Sequence, residues 1–293
     1  MKKPVIFLIC LLLALNVFSQ GGGRMPYKLE LETRKIMGGE GDAGYSSIQL
    51  SQQLFNLKFK NGQKGIFSSR FTYTYSNLHF NETALKFDDL EKFHTIGLNL
   101  SYVRRINARW SFLGMCMPQL KSNFSSALQG DDFYINAFAL FNYAKNRDPK
   151  FTVGLAYIST LGFPAPIPIF MYWVNLNIKW KIAIGFPRLS ATYSINKKSR
   201  LDLYLEMAGM NANISNPLTH PDFIDNKEAQ KISYRDIISG AEYIYTLKNV
   251  QLFFNIGYSL NRNMELQDAD YKKVYSYDVK NNFNFGLGFK YRF

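Results

Sequence analysis

Read in steps of two from the C-terminus, Phe293, Tyr291, Phe289, Leu287, Phe285 and Phe283 are all apolar or aromatic. The residues between them, Arg292, Lys290, Gly288, Gly286, Asn284 and Asn282, are not. In a chain that is 47% hydrophobic, such a window arises by chance roughly 2 times in 10,000. A period of two marks a β-strand with one apolar and one polar face. The alternation returns along the chain. Tyr27, Leu29 and Leu31 share one phase, as do Phe67, Phe71, Tyr73 and Tyr75, and likewise Ile96, Leu98, Leu100 and Tyr102. Phe151 to Tyr157, Tyr172 to Ile178, Leu201 to Met207 and Leu252 to Leu260 repeat it. Around Trp110 to Met117 and Phe133 to Tyr143 both faces are apolar, and the pattern assigns no outside there.

The first twenty residues form a different block. Lys2 and Lys3 precede an unbroken apolar run from Val5 to Leu15, with Ser19 as a small residue after it. This is the three-part pattern of a secretory signal peptide, too short to span a bilayer comfortably. Cleavage is expected after Ser19, leaving residues 20–293 as the mature domain. Cys10 lies inside the apolar run with more apolar sequence after it, which argues against a lipoprotein signal. No later run of eighteen apolar residues exists. An exported chain of this kind is either soluble or a membrane β-barrel, because only helices and closed barrels satisfy every backbone group in lipid.

The connections between strand-like segments alternate in length. Short ones fall at 60–63, 106–108, 145–150, 196–199 and 248–249, and long polar ones near 36–45, 78–92, 121–131, 213–230 and 262–276. Short turns on one side and long loops on the other are the arrangement of outer-membrane barrels, the short side being periplasmic. The expected fold is all-β: a transmembrane antiparallel up-and-down barrel of about fourteen strands, with twelve as the alternative. The alternative turns on Trp180 to Ile195, which reads as a tight hairpin at Pro187 or as one bent strand. Forty-four Phe and Tyr side chains, 25 and 19, suit aromatic girdles at the two interfaces, with Tyr102, Trp110, Tyr157, Tyr258 and Tyr291 as candidates.

Candidate chemistry is sparse. Two Cys exclude a disulfide scaffold, and no paired Cys/His spacing suggests a zinc site. No metal or other cofactor is implied. His79 and His220 fall in expected loops and His94 near a strand start, with no spacing that sets any of them beside a serine. Catalysis is not expected. The net charge of +13 is spread thinly, without the basic-aromatic cluster that grips nucleic acid. Lys121, Lys227 and Lys231 read as solvated loop residues able to meet lipopolysaccharide phosphates. Glu30, Arg70, Asp202, Glu206, Glu242, Lys290 and Arg292 all take the polar phase of their strands. A charge facing lipid near the midplane costs ~2–4 kcal/mol, so the phase places these seven inside the barrel. There they line a pore or pair across a closed lumen, with Glu30 and Lys290 meeting where the first and last strands close the ring. Pro164, Pro166 and Pro168 recur at alternate positions; they suit a stiff external turn or an inward-folded constriction.

Several of these motifs carry a family likeness. The terminal strand ending in Phe289, Tyr291 and Phe293 resembles the recognition strand of bacterial outer-membrane proteins, which implies the barrel-assembly machinery as a partner during biogenesis. Phe18-Ser19-Gln20, Pro-Ile-Pro-Ile at 166–169, Asn177-Ile178-Lys179-Trp180 leading to Phe186-Pro187, and Lys-Tyr-Arg-Phe at the end resemble outer-membrane β-barrel proteins of unknown function common in Bacteroidota. A second likeness, in size, is to the membrane component of type IX secretion. That family opens its mature part with an Asn-Pro-containing stretch, where Gly21 to Pro26 stand here. The likeness implies a barrel set among outer-membrane lipid and lipopolysaccharide. Two functions follow: a passive pore or small-solute channel, or a non-conducting barrel serving an envelope complex.

Overall fold

The computed structural model describes residues 27–36, 43–59, 65–80, 85, 87–145, 148–159 and 162–292. The expected signal peptide and Phe293 lie outside these residues. The strands are β1 (Leu29–Ile36), β2 (Ala43–Phe59), β3 (Gly65–Phe80), β4 (Lys92–Arg105), β5 (Trp110–Ser122), β6 (Phe133–Lys145), β7 (Asp148–Ile158), β8 (Ala165–Asn175), β9 (Trp180–Gly185), β10 (Arg188–Ser194), β11 (Ser199–Leu218), β12 (Ala229–Leu247), β13 (Val250–Gln267), β14 (Lys273–Tyr277) and β15 (Phe283–Tyr291).

Each strand from β1 to β13 pairs antiparallel with the next, β13 pairs with β15, and β15 returns to β1. The result is a closed barrel of fourteen strands. β14 lies outside the ring count, paired among the described residues only with the upper end of β13. The stretch from Trp180 to Ile195 is the tight hairpin β9–β10. Its tip at Gly185 allows close approach, since a Cβ there would sit 2.2 Å from the Phe170 carbonyl oxygen. Closure matters because a strand edge in hydrocarbon leaves a row of backbone groups unsatisfied.

The outward phase is apolar. Leu252, Phe254, Ile256, Tyr258 and Leu260 on β13, and Phe283, Phe285 and Leu287 on β15, are all exposed, Leu287 by 60%. Across the barrel, Leu155 and Tyr157 on β7 and Phe170 on β8 do the same. On β5 and β6, where the pattern was two-faced, Phe133, Ile135 and Phe141 take the outward phase. A continuous exposed apolar belt of this kind belongs in hydrocarbon rather than water. Aromatic clusters rim it: Trp110, Tyr143 and Phe151 lie 5.0–5.5 Å apart near the short turns, and Tyr258 meets Phe283 at 5.1 Å near the loops.

The barrel wall is uneven. β9 and β10 have 6 and 7 residues, whereas β11, β12 and β13 have 20, 19 and 18. Of the long loops expected at 213–230 and 262–276, residues 213–218 and 229–230 of the first and 262–267 and 273–276 of the second are therefore strand. Their apolar residues explain the difference. Met210, Ala212, Ile214, Ile232, Tyr234, Met264, Leu266 and Val274 pack with Ile36, Leu78, Leu90 and Phe93 into a buried core above the belt. This core forms a roof over the loop end of the barrel. β11 bends across to reach it: Asn213 pairs in parallel with Ser122 of β5, and Asn213 Nδ2 donates to Asp132 Oδ1 at 2.8 Å.

Gly288, in the polar phase of β15, sits where a side chain cannot. A Cβ there would lie 2.3 Å from the Leu31 carbonyl oxygen and 2.4 Å from the Phe253 ring. Gly288→Ala is expected to destabilise the β1–β15 closure by ~1–3 kcal/mol, read as a lower unfolding temperature of the heat-modifiable band on semi-native gels. Gly130→Ala, with nothing within 4 Å, should leave that temperature unchanged.

Candidate functional site

The inward phase of the strands builds the lumen. Its lower part holds the predicted charges. Lys290 Nζ lies 2.8 Å from Glu30 Oε1, where β1 and β15 close the ring, and Arg70 Nη1 lies 3.4 Å from Glu30 Oε2. Asp202 and Glu242 face each other across the β11–β12 ladder. Arg292 lies past the end of β15 at the exposed rim. Its guanidinium stacks 4.4 Å over the Tyr27 ring instead of entering the lumen. Phe289 and Tyr291 hold the outward phase of β15, paired with Leu31 and Leu29 on one side and Leu252 and Val250 on the other.

Halfway up, a salt-bridge layer crosses the lumen. Glu206 of β11 takes Arg34 of β1 at 2.9 Å on one oxygen and Arg188 of β10 at 2.9 Å on the other. Arg34 also reaches Glu32 at 3.6 Å. Three strands separate β1 from β11 around the ring, so the Arg34–Glu206 pair is a chord through the interior. The Arg188 guanidinium also lies 4.3 Å over the Tyr204 ring. Arg34 and Arg188 are site residues that pattern reasoning missed. Arg34 shares the polar phase of Glu30 and Glu32 and was findable on that signal; Arg188 was hidden by the turn at Pro187.

Above the chord lies a cavity of about 310 Å³, lined by Glu32 and Arg34 below and by Ile36, Tyr45, Met210 and Tyr234 above. Its ceiling is the underside of the roof, where the Tyr45 and Tyr234 rings stack at 4.9 Å. Tyr234 is held by its hydroxyl, which donates to Asp236 Oδ2 at 3.0 Å and accepts from Arg262 Nε at 3.3 Å.

Two of the lysines expected in loops are buried instead. Lys121 is 5% exposed at the inward end of β5; its ammonium donates to Ser159 Oγ at 3.2 Å and lies 5.1 Å over the Tyr134 ring. Lys231, in β12, donates to the Ala269 carbonyl and covers the Tyr271 ring. β12 runs further than the polar pattern suggested because Ala229, Ile232 and Tyr234 join the roof core, and the end of β5 is held by Ser122, whose hydroxyl donates to the Asn213 oxygen at 3.2 Å. Lys227 does sit in a loop, 3.4 Å from Asp268. Burial would push the Asp268 carboxyl up, but backbone N–H groups of Lys272 and Asp270 and the Lys227 ammonium outweigh it and hold it below its ordinary value.

The prolines form no constriction. Pro166 and Pro168 lie within β8, opposite Tyr157 and Leu155 of β7, and face outward; Pro164 precedes the strand. The reason is local. Phe170 accepts its last ladder bond from Phe186 N, so residues of that parity direct their backbone groups toward β9. Above Phe170, β9 has ended, and the prolines supply no N–H on the side where none could be paired.

The histidines are engaged singly. His94 Nδ1 lies 2.8 Å from the Tyr73 hydroxyl, His220 lies 3.5 Å from Asp222, and His79 is exposed at the upper end of β3.

No curated protein matches the chain in sequence. Among solved structures, the KdgM porin in complex with disordered oligogalacturonate aligns at TM-score 0.34 and 12% identity, over 90% of this chain and 99% of that one. The translocator domain of the autotransporter NalP from Neisseria meningitidis aligns at 0.38 and 12%, over 99% and 96%. LpxR from Salmonella typhimurium aligns at 0.37 and 6%, over 90% and 99%. A family model, domain of unknown function DUF6268, matches residues 26–292, every strand of the barrel, and the chain belongs to that family.

Proposed function

We propose that this protein is a bacterial outer-membrane barrel that passes small solutes through a charge-lined lumen, with its loop-side mouth held shut by the roof. The observation that carries this reading is the division of phases: an exposed apolar belt outside and paired charges inside. Such a wall stands in hydrocarbon while its interior holds water. The short turns then face the periplasm, the belt meets outer-membrane lipid, the roof meets lipopolysaccharide, and β15 is what the barrel-assembly machinery engages. The motifs at 166–169 and 290–293 support a Bacteroidota source. We read it as a conduit without catalysis: the histidines are dispersed, His94 beside Tyr73, His220 beside Asp222 and His79 exposed on β3.

A second reading, a non-conducting barrel of an envelope complex, is favoured by the same roof and by the Arg34–Glu206 chord. Planar-bilayer recording separates the two. Tyr45→Ala combined with Tyr234→Ala removes the ceiling stack and is expected to raise single-channel conductance several-fold over a weakly conducting parent. Variants that fold and insert yet carry no current would overturn the conduit reading and leave the non-conducting one.

Glu206→Gln removes the carboxylate shared by Arg34 and Arg188. With two cations released from their counter-charge, the reversal potential in a salt gradient should move toward anion selectivity. The partly buried site should lose ~1–3 kcal/mol of stability, measured as a lower unfolding temperature. An unchanged reversal potential would mean that current bypasses this layer.

A further inference from the structure

The wall is incomplete above the β9–β10 hairpin. The last ladder bonds to its tip are Phe186 N to the Phe170 oxygen at 3.2 Å and Met207 N to the Pro187 oxygen at 3.1 Å. Beyond them, among the described residues, no ladder joins β8 to β11. The opening is floored by Phe186 and Pro187. It is bounded above by Gly162, whose oxygen accepts from Asn211 Nδ2 at 3.1 Å. Along its β8 side run Ala165 to Ile169, about 13 Å of strand at ~3.3 Å per residue. The outer surface around it is part of the apolar belt: Leu155, Tyr157, Phe170 and Met207 are exposed.

Behind this opening lies a cavity of about 400 Å³, within the ~300–1,000 Å³ typical of ligand sites. Met117, Phe138, Ile158, Ile169 and Phe186 give it an apolar wall. Asn136, Ala208 and Gly209 line both it and the polar cavity above the chord, so the two spaces meet there. Glu32 and Arg34 line the polar cavity and Glu206 the apolar one, and with Arg188 these four charges answer one another. Lys121 is the exception: a buried cation held by one serine hydroxyl and an aromatic face, with no carboxylate within ion-pairing distance among the described residues. A buried charge without a counter-charge is costly unless something pairs with it.

We propose that this opening admits a single-chain anionic amphiphile from the lipid phase, its tail filling the apolar cavity and its head group pairing with Lys121. The site rests on the membrane placement argued above, and its readout is binding rather than current.

The test uses the full barrel in phosphatidylcholine nanodiscs, with a dansylated undecanoate as fluorescent probe displaced by dodecanoate or by dodecanol. Lys121→Met should weaken dodecanoate about tenfold or more, the loss of a charge-assisted contact, while dodecanol displaces as before. Ala208→Phe, or Ile158→Trp should the first fail to fold, should abolish displacement by both. Phe186→Trp should gain fluorescence that lipids brominated on their acyl chains quench, beyond the quenching seen in the parent. Equal dodecanoate affinity in folded Lys121→Met protein would overturn the head-group assignment. Unchanged binding in the cavity-filling variants would overturn the site, and absence of added quenching would overturn the lateral route. A barrel that conducts yet binds no dodecanoate removes this proposal and leaves the conduit; one that binds without conducting keeps the site and removes the conduit.

Discussion

Every other feature depends on one constraint: a backbone set in hydrocarbon has no water with which to pair. Each orphaned N–H or C=O there costs several kcal/mol, so the chain must return to its first strand. It does so through β15, which pairs with β1 over eight residues from Leu29↔Tyr291 to Ile36↔Asn284. Glycine makes the seam close enough to work. Phe253 lies over Gly288, so an aromatic ring from β13 occupies the space that a side chain on β15 would need. The same constraint explains the prolines. Where β9 stops short, β8 becomes an edge, and an edge in lipid is tolerated best when its donors are missing rather than unpaired. Pro166 and Pro168 are missing them on that side.

A barrel of this type turns its best apolar face outward and keeps little of it for itself. The roof supplies a conventional core. β11, β12 and β13 outrun the belt by enough residues to leave the lipid, and above it both of their faces are free to pack. Seating β11 against β5 takes that strand out of the wall, so the roof and the opening beside β8 arise from one bend. The core over the loop end and the missing ladder beside β8 are then two consequences of the same geometry.

How much of this was legible from residue order follows from which side of a strand water or lipid touches. The belt strands were readable because their two faces meet different solvents: Leu252 to Leu260 face out, Gln251, Asn255 and Ser259 face in. The strand number was readable from turn spacing, including the hairpin at Pro187. The roof was not. Residues 213–218 and 262–267 are polar by composition, and their burial comes from partners on β1, β3 and β4 that lie far away in sequence. Lys121 and Lys231 were misplaced for that reason: a lysine at a strand end looks like a loop lysine until distant strands cover it. The seven predicted inward charges follow the polar phase, with Arg292 carried past the strand end to the rim. Their pairing depended on register. Glu30 with Lys290 follows from ring closure, whereas Glu206 with Arg34 needs the diameter of the ring as well.

The segments that resisted assignment were the informative ones. Trp110 to Met117 and Phe133 to Tyr143 are apolar on both faces, which in a soluble sandwich would mean only burial. In a closed barrel the outward phase is already explained by lipid, so an apolar inward phase states something about the lumen. On β5 to β8 that phase places Met117, Phe138, Ile158 and Ile169 toward the interior, facing an arc that carries Glu30, Arg34, Arg70 and Lys290. A lumen with one greasy and one charged side is complementary to a molecule with the same division. The ambiguity in the pattern was the imprint of that asymmetry.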